Sequence, residues 1–135
     1  IEARAIDDVA LTLDGIVSGA VTVRIAGVGS FERRGRIDTL WAGVAPRAPL
    51  AALHRKIDRA LVAAGIAPDT RAYHPHVTLA RLARGAGGGP ALAQWLVAHA
   101  ALASPAFILD RLVLYESTLG RGGASYREVM RVALL

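Results

Sequence analysis

The chain has 135 residues, of which 53% are hydrophobic, and its mean hydropathy is +0.38. These values fit one domain with a real core and exclude a disordered chain. The formal net charge of +5 comes almost wholly from arginine, because Lys56 is the only lysine. The arginine excess fits an anionic substrate, but it fits the amino-acid usage of a GC-rich genome equally well. Cysteine is absent, so disulfides and thiolate metal sites are excluded.

No stretch of the sequence has the pattern of a signal peptide or a membrane span. The segment from Ile1 to Ala10 contains four charged residues where a signal peptide needs an apolar run. The longest apolar stretch, Trp95 to Leu109, is interrupted by His99 and Pro105. We therefore predict a single cytoplasmic domain over residues 1–135, with no membrane partner.

The first third of the chain predicts one helix and two strands. Apolar residues recur with a helical period from Glu2 to Ile16. Residues Ala20 to Val28 alternate between apolar and polar side chains, as a half-buried strand does, and glycines then stop the pattern. A basic turn, Phe31 to Arg36, separates this strand from a second one at Ile37 to Val44. The two strands are expected to be antiparallel neighbours in one sheet.

The rest of the chain alternates helices with strands. The clearest amphipathic helix spans Pro49 to Ala64 and stops at Gly65. The elements expected after it are a strand ending near Leu82, a glycine-rich loop from Arg84 to Pro90, a helix from Ala91 to Leu102, and strands at Phe107 to Tyr115 and Tyr126 to Leu134. This order indicates an α+β domain with a largely antiparallel sheet.

The stretch Tyr73 to Arg81 places titratable groups inside an otherwise apolar, strand-like run. In a strand, side chains two residues apart share a face, so His76 and Thr78 should project together while Val77 and Leu79 point into the core. An imidazole exchanges protons near neutral pH, and a neighbouring hydroxyl can hold a phosphate oxygen. A single His-x-Thr pair also arises by chance on the polar face of a strand.

The sequence HPHVTLAR resembles the second signature of the two-histidine (2H) phosphoesterases, specifically the RNA 2′,3′-cyclic phosphodiesterases, also called 2′-5′ RNA ligases. Trp41 to Val44 resembles the central strand of that family, Leu53 to Ala64 a family helix, and Leu114 to Tyr126 its closing hairpin. The resemblance implies a bilobal α+β fold in which antiparallel sheets flanked by helices surround a central cleft.

The resemblance also implies an enzyme that hydrolyses RNA 2′,3′-cyclic phosphate ends to 2′-phosphates and, in reverse, joins 2′-5′ linkages. In that family two His-x-Thr motifs face each other, and their histidines act as acid and base without metal or cofactor. By this resemblance His76 is catalytic, Thr78 binds the phosphate, and Arg81 binds phosphate or RNA. A solvated surface arginine is the ordinary alternative for Arg81. The implied partner is RNA or a nucleotide with a 2′,3′-cyclic phosphate, bound by a monomer.

The sequence departs from the family pattern because it contains one His-x-Thr motif only. The family layout places the first motif, with its strands, upstream of Ile1. A chain limited to these residues is then expected to lack half of the acid/base pair and to be a poor catalyst. The alternative is a non-catalytic RNA- or nucleotide-binding module of the same fold. Another substrate of the superfamily, such as a cyclic dinucleotide, also stays open.

Several further residues have both a functional and a structural interpretation. Tyr73, Trp41 and Tyr126 are candidates for base stacking, although isolated aromatic residues on strands more often belong to the core. His74 is expected to support the site, with a zinc ligand as the less favoured role. Arg81 has the opposite strand parity to His76, so it can reach the same cleft only if the strand bends near Ala80.

Arginines on two loops are candidates for contacts with the RNA backbone. Arg33, Arg34 and Arg36 lie in the predicted basic turn, and Arg121 lies between the last two strands. A basic rim would attract RNA phosphates. The ordinary alternative is a pair of solvated loops.

Overall fold

A computed structural model describes residues 3–86 and 88–134. In chain order its elements are α1 (Ala3–Asp14), β1 (Val21–Arg33), β2 (Arg36–Ala45), α2 (Arg47–Ala63), β3 (His76–Arg81), α3 (Pro90–Ala98), β4 (Phe107–Leu109), β5 (Arg111–Gly120) and β6 (Gly123–Ala133). The pairings β1–β2, β2–β3 and β5–β6 are antiparallel, which confirms the predicted α+β class. None of the described helices is long and apolar enough to cross a membrane.

The chain divides into two compact units that are discontinuous in sequence. Unit 1 contains the described residues 3–21, Ala51–Arg71 and 108–134. Unit 2 contains Thr22–Leu50 and Ala72–Phe107. The stretch with His76 and Thr78 therefore belongs to unit 2, whereas Tyr126 belongs to unit 1.

Unit 2 is organised around a sheet whose strand order is β3-β2-β1-β4. Leu40 and Ala42 are adjacent even-numbered positions on β2 and both are buried, as is Val23 on β1. Because alternate residues of a strand face opposite sides, the odd-numbered positions of β2 define the other face. Strand β3 is at the edge of the sheet and contributes its side chains to both faces.

Strand β1 continues well past the glycines that were expected to end it. The pattern predicted a stop after Val28, but β1 runs to Arg33. Gly27 takes a φ of 72° at an irregularity between Ile25 and Val28, where β1 has one residue more than its partner. Glycine at a bulge allows the strand to bend without ending it. The predicted bounds of the basic turn, Phe31 to Arg36, are therefore wrong, because only Arg34 and Gly35 form the turn.

Two predictions in the C-terminal half also require correction. Helix α3 ends at Ala98 and not at Leu102, whose carbonyl oxygen accepts a 2.7 Å hydrogen bond from the Gly27 backbone NH. The strand predicted from Phe107 to Tyr115 is divided at Asp110 into β4 and β5. An extended apolar run cannot show in sequence alone that its two ends belong to different sheets.

Unit 1 combines helix α1 with the β5–β6 hairpin. Helix α1 packs against β6, and Val9 and Leu13 on the helix are buried, as are Val132 and Leu134 at the other end of the chain. The two apolar residues of α1 are four apart, so they lie on one face of the helix. This burial confirms the predicted amphipathic first helix within the described residues.

Candidate active site on strand β3

His76 is the first residue of β3 and its side chain is exposed. Its Nδ1 lies 2.5 Å from the backbone carbonyl oxygen of His74. Because a carbonyl oxygen can only accept, Nδ1 must carry the proton, and in the neutral ring Nε2 keeps a free lone pair. His74 therefore supports the neighbouring ring through its backbone. The arrangement leaves Nε2 of His76 available to take a proton from a bound molecule.

The rings of Phe31 and Trp41 lie beside the ring of His76. The His76 ring meets the Phe31 ring edge-on, with centroids 5.0 Å apart, and lies 6.2 Å from the Trp41 ring. Phe31 is also 5.5 Å from Trp41 and 6.0 Å from the ring of His74. Such aromatic contacts favour this orientation of the imidazole. Sequence reasoning missed Phe31 because it placed this residue in a turn; the alternation of Gly29, Phe31 and Arg33 along a longer strand was the available signal.

A bulge in β3 brings Arg81 to the face that carries His76. The pairs across β2 and β3 are Gly43 with His76, Trp41 with Thr78, Leu40 with Ala80, and Thr39 with Arg81, so that Leu79 is an extra residue. Directly opposite residues share a face, and Thr39, Trp41 and Gly43 are alternate positions on β2. His76, Thr78 and Arg81 therefore project from one face. The bend that sequence parity required near Ala80 is present.

The apolar side chains of β3 do not point into a core, in contrast to the prediction. Val77 is 48% exposed and Leu79 is 50% exposed. Val77 lies opposite the buried Ala42, but β3 is the edge strand, so its outer side stays open to solvent. Leu79 is the bulge residue and has no partner on β2. The two-residue period correctly grouped His76 with Thr78 but overestimated the burial of their neighbours.

The three candidate stacking aromatics have different surroundings. Trp41 is half-buried, and within the described residues its Nε1 is buried without a hydrogen-bond partner. Tyr73 precedes β3 and is half-buried, and burial raises the pKa of its phenol above the ordinary value. Its backbone carbonyl accepts a 2.8 Å hydrogen bond from Arg47. Tyr126 belongs to unit 1, is 65% exposed and meets the ring of Tyr115 at 6.5 Å.

The arginines of the predicted basic turn line a larger basic pocket. A cavity of about 630 Å³ in unit 2 is lined by four arginines and one acidic residue, namely Arg33, Arg34, Arg36, Arg84 and Asp38. Arg84 comes from the loop after β3, which the sequence predicted as a glycine-rich loop without a binding role. Arg121 belongs to the β5–β6 turn of unit 1.

The remaining histidine of unit 2 and the acidic residues give no metal-binding cluster. His99 Nδ1 lies 2.9 Å from the Trp95 carbonyl oxygen, and the two rings are 4.8 Å apart. Among the described residues, no group of three or more histidine, aspartate or glutamate side chains is arranged to hold a metal ion. On the face of β3 that carries His76, the polar side chains are an imidazole, a hydroxyl and a guanidinium.

The family model described as "2′-5′ RNA ligase superfamily" matches residues 2–121. A relative named RNA 2′,3′-cyclic phosphodiesterase from Aeropyrum pernix is 32% identical over 111 residues, which cover 82% of this chain and 62% of the relative. A protein of the same name from Geobacillus stearothermophilus is 31% identical over 102 residues, covering 76% of this chain and 32% of that protein. The chain thus spans less than two thirds of the length of either relative.

Solved structures share the fold over almost the whole chain. Escherichia coli LigT complexed with 3′-AMP matches with a TM-score of 0.74 and 23% identity, covering 99% of this chain and 71% of that one. The protein TT0787 of Thermus thermophilus matches with a TM-score of 0.72 and 16% identity, over 99% of this chain and 72% of the other. At these identities the similarity concerns the fold.

Proposed function

Since this chain belongs to the 2′-5′ RNA ligase superfamily, we propose that it acts on RNA 2′,3′-cyclic phosphate ends and hydrolyses them to 2′-phosphates. The observation that carries the proposal is the shared face of His76, Thr78 and Arg81 on β3. The names of the two relatives support the same substrate and reaction. We further propose a monomer that works in the cytoplasm without a metal or an organic cofactor.

The proposed reaction needs two proton transfers and a group that stabilises negative charge. Water attacks the phosphorus atom, the bond to the 3′ oxygen breaks, and that oxygen leaves with a proton. A base must accept the proton of water while an acid supplies the one that the leaving oxygen takes. In ligation, the 5′ hydroxyl of a second RNA attacks the phosphorus atom in place of water. The bond to the 3′ oxygen breaks again, that oxygen leaves with a proton, and a 2′-5′ linkage forms in a reversible step.

Each of the three residues has a role that its chemistry supports. His76 exchanges a proton through Nε2, since Nδ1 is engaged with the His74 carbonyl. Thr78 donates a hydrogen bond to a phosphate oxygen. Arg81 presents a planar set of N–H donors that matches two phosphate oxygens and stabilises the charge that develops during attack. Tyr73 and Tyr126 are proposed to contact the base or ribose of the substrate.

The alternative function is a non-catalytic module that binds RNA or a nucleotide. It is favoured by the presence of a single His-x-Thr motif in this sequence, because hydrolysis by paired histidines needs a second proton carrier. A module of this kind would bind the 2′,3′-cyclic end without opening it.

The two functions are separated by assaying the protein with an oligoribonucleotide that ends in a 2′,3′-cyclic phosphate. The assay contains a chelator and compares the 135-residue chain with protein expressed together with any coding sequence that precedes Ile1. Catalytic turnover to a 2′-phosphate, identified by ³¹P NMR, supports the enzyme. Tight binding with no product from either form supports the module, and a 3′-phosphate product contradicts the proposed regiochemistry.

A further inference from the structure

The arginine pocket of unit 2 lies where the β1–β2 hairpin meets the chain that leaves β3. The Leu82 backbone NH donates a 2.8 Å hydrogen bond to the Asp38 carbonyl oxygen, which fixes the loop carrying Arg84 beside the hairpin. As a result Arg84 joins Arg33, Arg34 and Arg36 around one cavity of about 630 Å³. Two segments that are separated by more than forty residues in sequence thus supply one concentrated positive charge.

The charge of this pocket is not neutralised within the described part of the chain. None of the four guanidinium groups makes a hydrogen bond or ion pair there, and the one acidic lining residue, Asp38, accepts a 2.9 Å hydrogen bond from Thr39. By comparison, four arginines of unit 1 pair with carboxylates: Arg71 with Asp69, Arg111 with Asp110, Arg127 with Glu116 and Arg131 with Glu128.

The hairpin would form more easily without these arginines. Arg34 has a φ of 54° and Gly35 a φ of 75°, and a two-residue turn with both residues in the left-handed region favours glycine, asparagine or aspartate. In addition, Arg33 lies directly opposite Arg36, and like charges at such a pair repel each other. A side chain kept at a backbone position that disfavours it is a reason to look for a function.

Arg33, which lines the pocket, lies on the sheet face that carries the candidate active site. Gly29, Phe31 and Arg33 are alternate positions on β1, and Phe31 is paired with Thr39, which shares the face of His76. Along β3, Arg81 is five residues after His76, which corresponds to at most about 16 Å at the usual rise of a strand. A single nucleotide bound at His76 therefore does not extend to the pocket, whereas a longer chain does.

We propose that this pocket binds the phosphodiester backbone of single-stranded RNA, several nucleotides away from the reacting end. The inference rests on the proposed function, since that function supplies the RNA. Four unpaired guanidinium groups suit consecutive phosphates, and binding releases the counterions that surround the nucleic acid. The pocket would make the protein prefer oligonucleotides over cyclic mononucleotides.

Three substitutions test the pocket by fluorescence anisotropy with a labelled single-stranded RNA of about ten nucleotides. Arg36→Gln and Arg84→Gln should each weaken binding several-fold and lower the slope of log affinity against log salt by about 0.7. Arg34→Gly should weaken binding while raising the melting temperature, because glycine relieves the turn. Arg55→Gln removes the same charge from an exposed position of α2 outside the pocket. It should change neither the RNA affinity nor the salt slope.

Activity measurements separate a failure of the pocket from a failure of the proposed function. The informative quantity is kcat/KM for a cyclic-ended oligonucleotide divided by kcat/KM for a cyclic mononucleotide. If the pocket binds RNA and the protein hydrolyses cyclic phosphates, this ratio falls in Arg36→Gln and Arg84→Gln but not in Arg55→Gln. RNA binding that depends on these arginines in a protein without hydrolysis supports the pocket and overturns the function. Unchanged RNA affinity in all three variants, an equal loss in Arg55→Gln, or tighter binding of polyglutamate than of RNA overturns the pocket.

Discussion

Arg81 shares a face of the unit 2 sheet with His76, although the two residues have opposite parity along β3. The extra residue Leu79 makes this possible, because a one-residue bulge reverses the alternation of side chains beyond it. A strand without the bulge would direct the guanidinium away from the imidazole. The bulge therefore decides whether one strand can present both a proton carrier and a phosphate ligand.

Deleting Leu79 should leave this relationship intact, because it removes only the residue that has no partner on β2. The regular two-residue period would return with Ala80 directly after Thr78, so Arg81 would stay on the face of His76. Hydrolysis of the cyclic phosphate should therefore be retained, in contrast to the loss expected when Arg81 itself is replaced. Leu79→Ala keeps the bulge and removes a side chain that is already half exposed, so it should cost under about 1 kcal/mol of stability and retain activity. Comparison of kcat/KM, with melting temperatures to verify folding, checks this prediction. A folded deletion variant that loses as much activity as an Arg81 variant would contradict the assignment of Leu79 as the extra residue of the bulge.

Replacing Arg81 tests whether the shape of its guanidinium matters as well as its charge. Arg81→Gln should lower kcat/KM roughly 10²-fold, the typical effect of removing one group that stabilises developing charge. Arg81→Lys keeps the charge but loses the two-pronged geometry, so it should recover only part of the loss. Steady-state kinetics on a cyclic-ended oligonucleotide give both values. Equal rates for the lysine variant and the unmodified protein would argue against bidentate phosphate binding.

Gly29 provides the space that the aromatic side of the site needs. A Cβ atom at this position would lie 2.3 Å from the ring of Trp41, which itself lies beside the His76 ring. Gly29→Ala should therefore destabilise the protein by about 1–3 kcal/mol and reduce activity through displacement of the ring. Gly122→Ala is the matched control, because an added Cβ there meets nothing within 4 Å. Urea unfolding of both variants measures the difference, and a Gly29→Ala variant as stable as the control contradicts the packing described.

The ion pair between Glu128 and Arg131 makes part of the stability depend on pH. The hydrogen bonds from Arg131 hold the pKa of the Glu128 carboxyl below its ordinary value. Because folding lowers this pKa, the ion pair contributes fully to the stability at pH values above the pKa of the unfolded state. The contribution is lost as the pH falls through the pKa of the folded state. Glu128→Gln should therefore melt below the unmodified protein at neutral pH, and the difference should shrink in acid. Thermal unfolding from about pH 7 to pH 3 tests this prediction. A melting-temperature difference between the two proteins that grows in acid would contradict it.

Periodicity predicted the elements of this chain better than it predicted their ends. The shared face of His76 and Thr78 follows from the two-residue period of any strand, so it was accessible from sequence. Nothing in Leu79 marks it as a bulge residue, because leucine fits an ordinary strand position equally well. Likewise, Gly29 has the residue type of a strand end, while its structural role is to accommodate Trp41 inside a longer strand. Both errors arise because tertiary pairing overrides local propensity.

The arginine pocket was also only partly predictable from the sequence. The basic turn was visible as a run of arginines, and its association with RNA could be suggested. The contribution of Arg84 could not be predicted from the sequence, because the hydrogen bond between Leu82 and Asp38 is what brings its loop to the hairpin. Long-range contacts of this kind leave no local pattern in the sequence.

The most direct test of the account is the effect of His76→Ala on hydrolysis and on binding, measured together in the protein form that turns over. A lost proton carrier should reduce kcat by roughly 10²–10⁴-fold, while the affinity for an RNA with a 2′-phosphate end should stay within a few-fold. His99→Gln serves as control, because His99 contacts Trp95 and not the β3 site. Loss of turnover with retained binding is expected in His76→Ala alone. Full turnover by His76→Ala would contradict the catalytic role of His76.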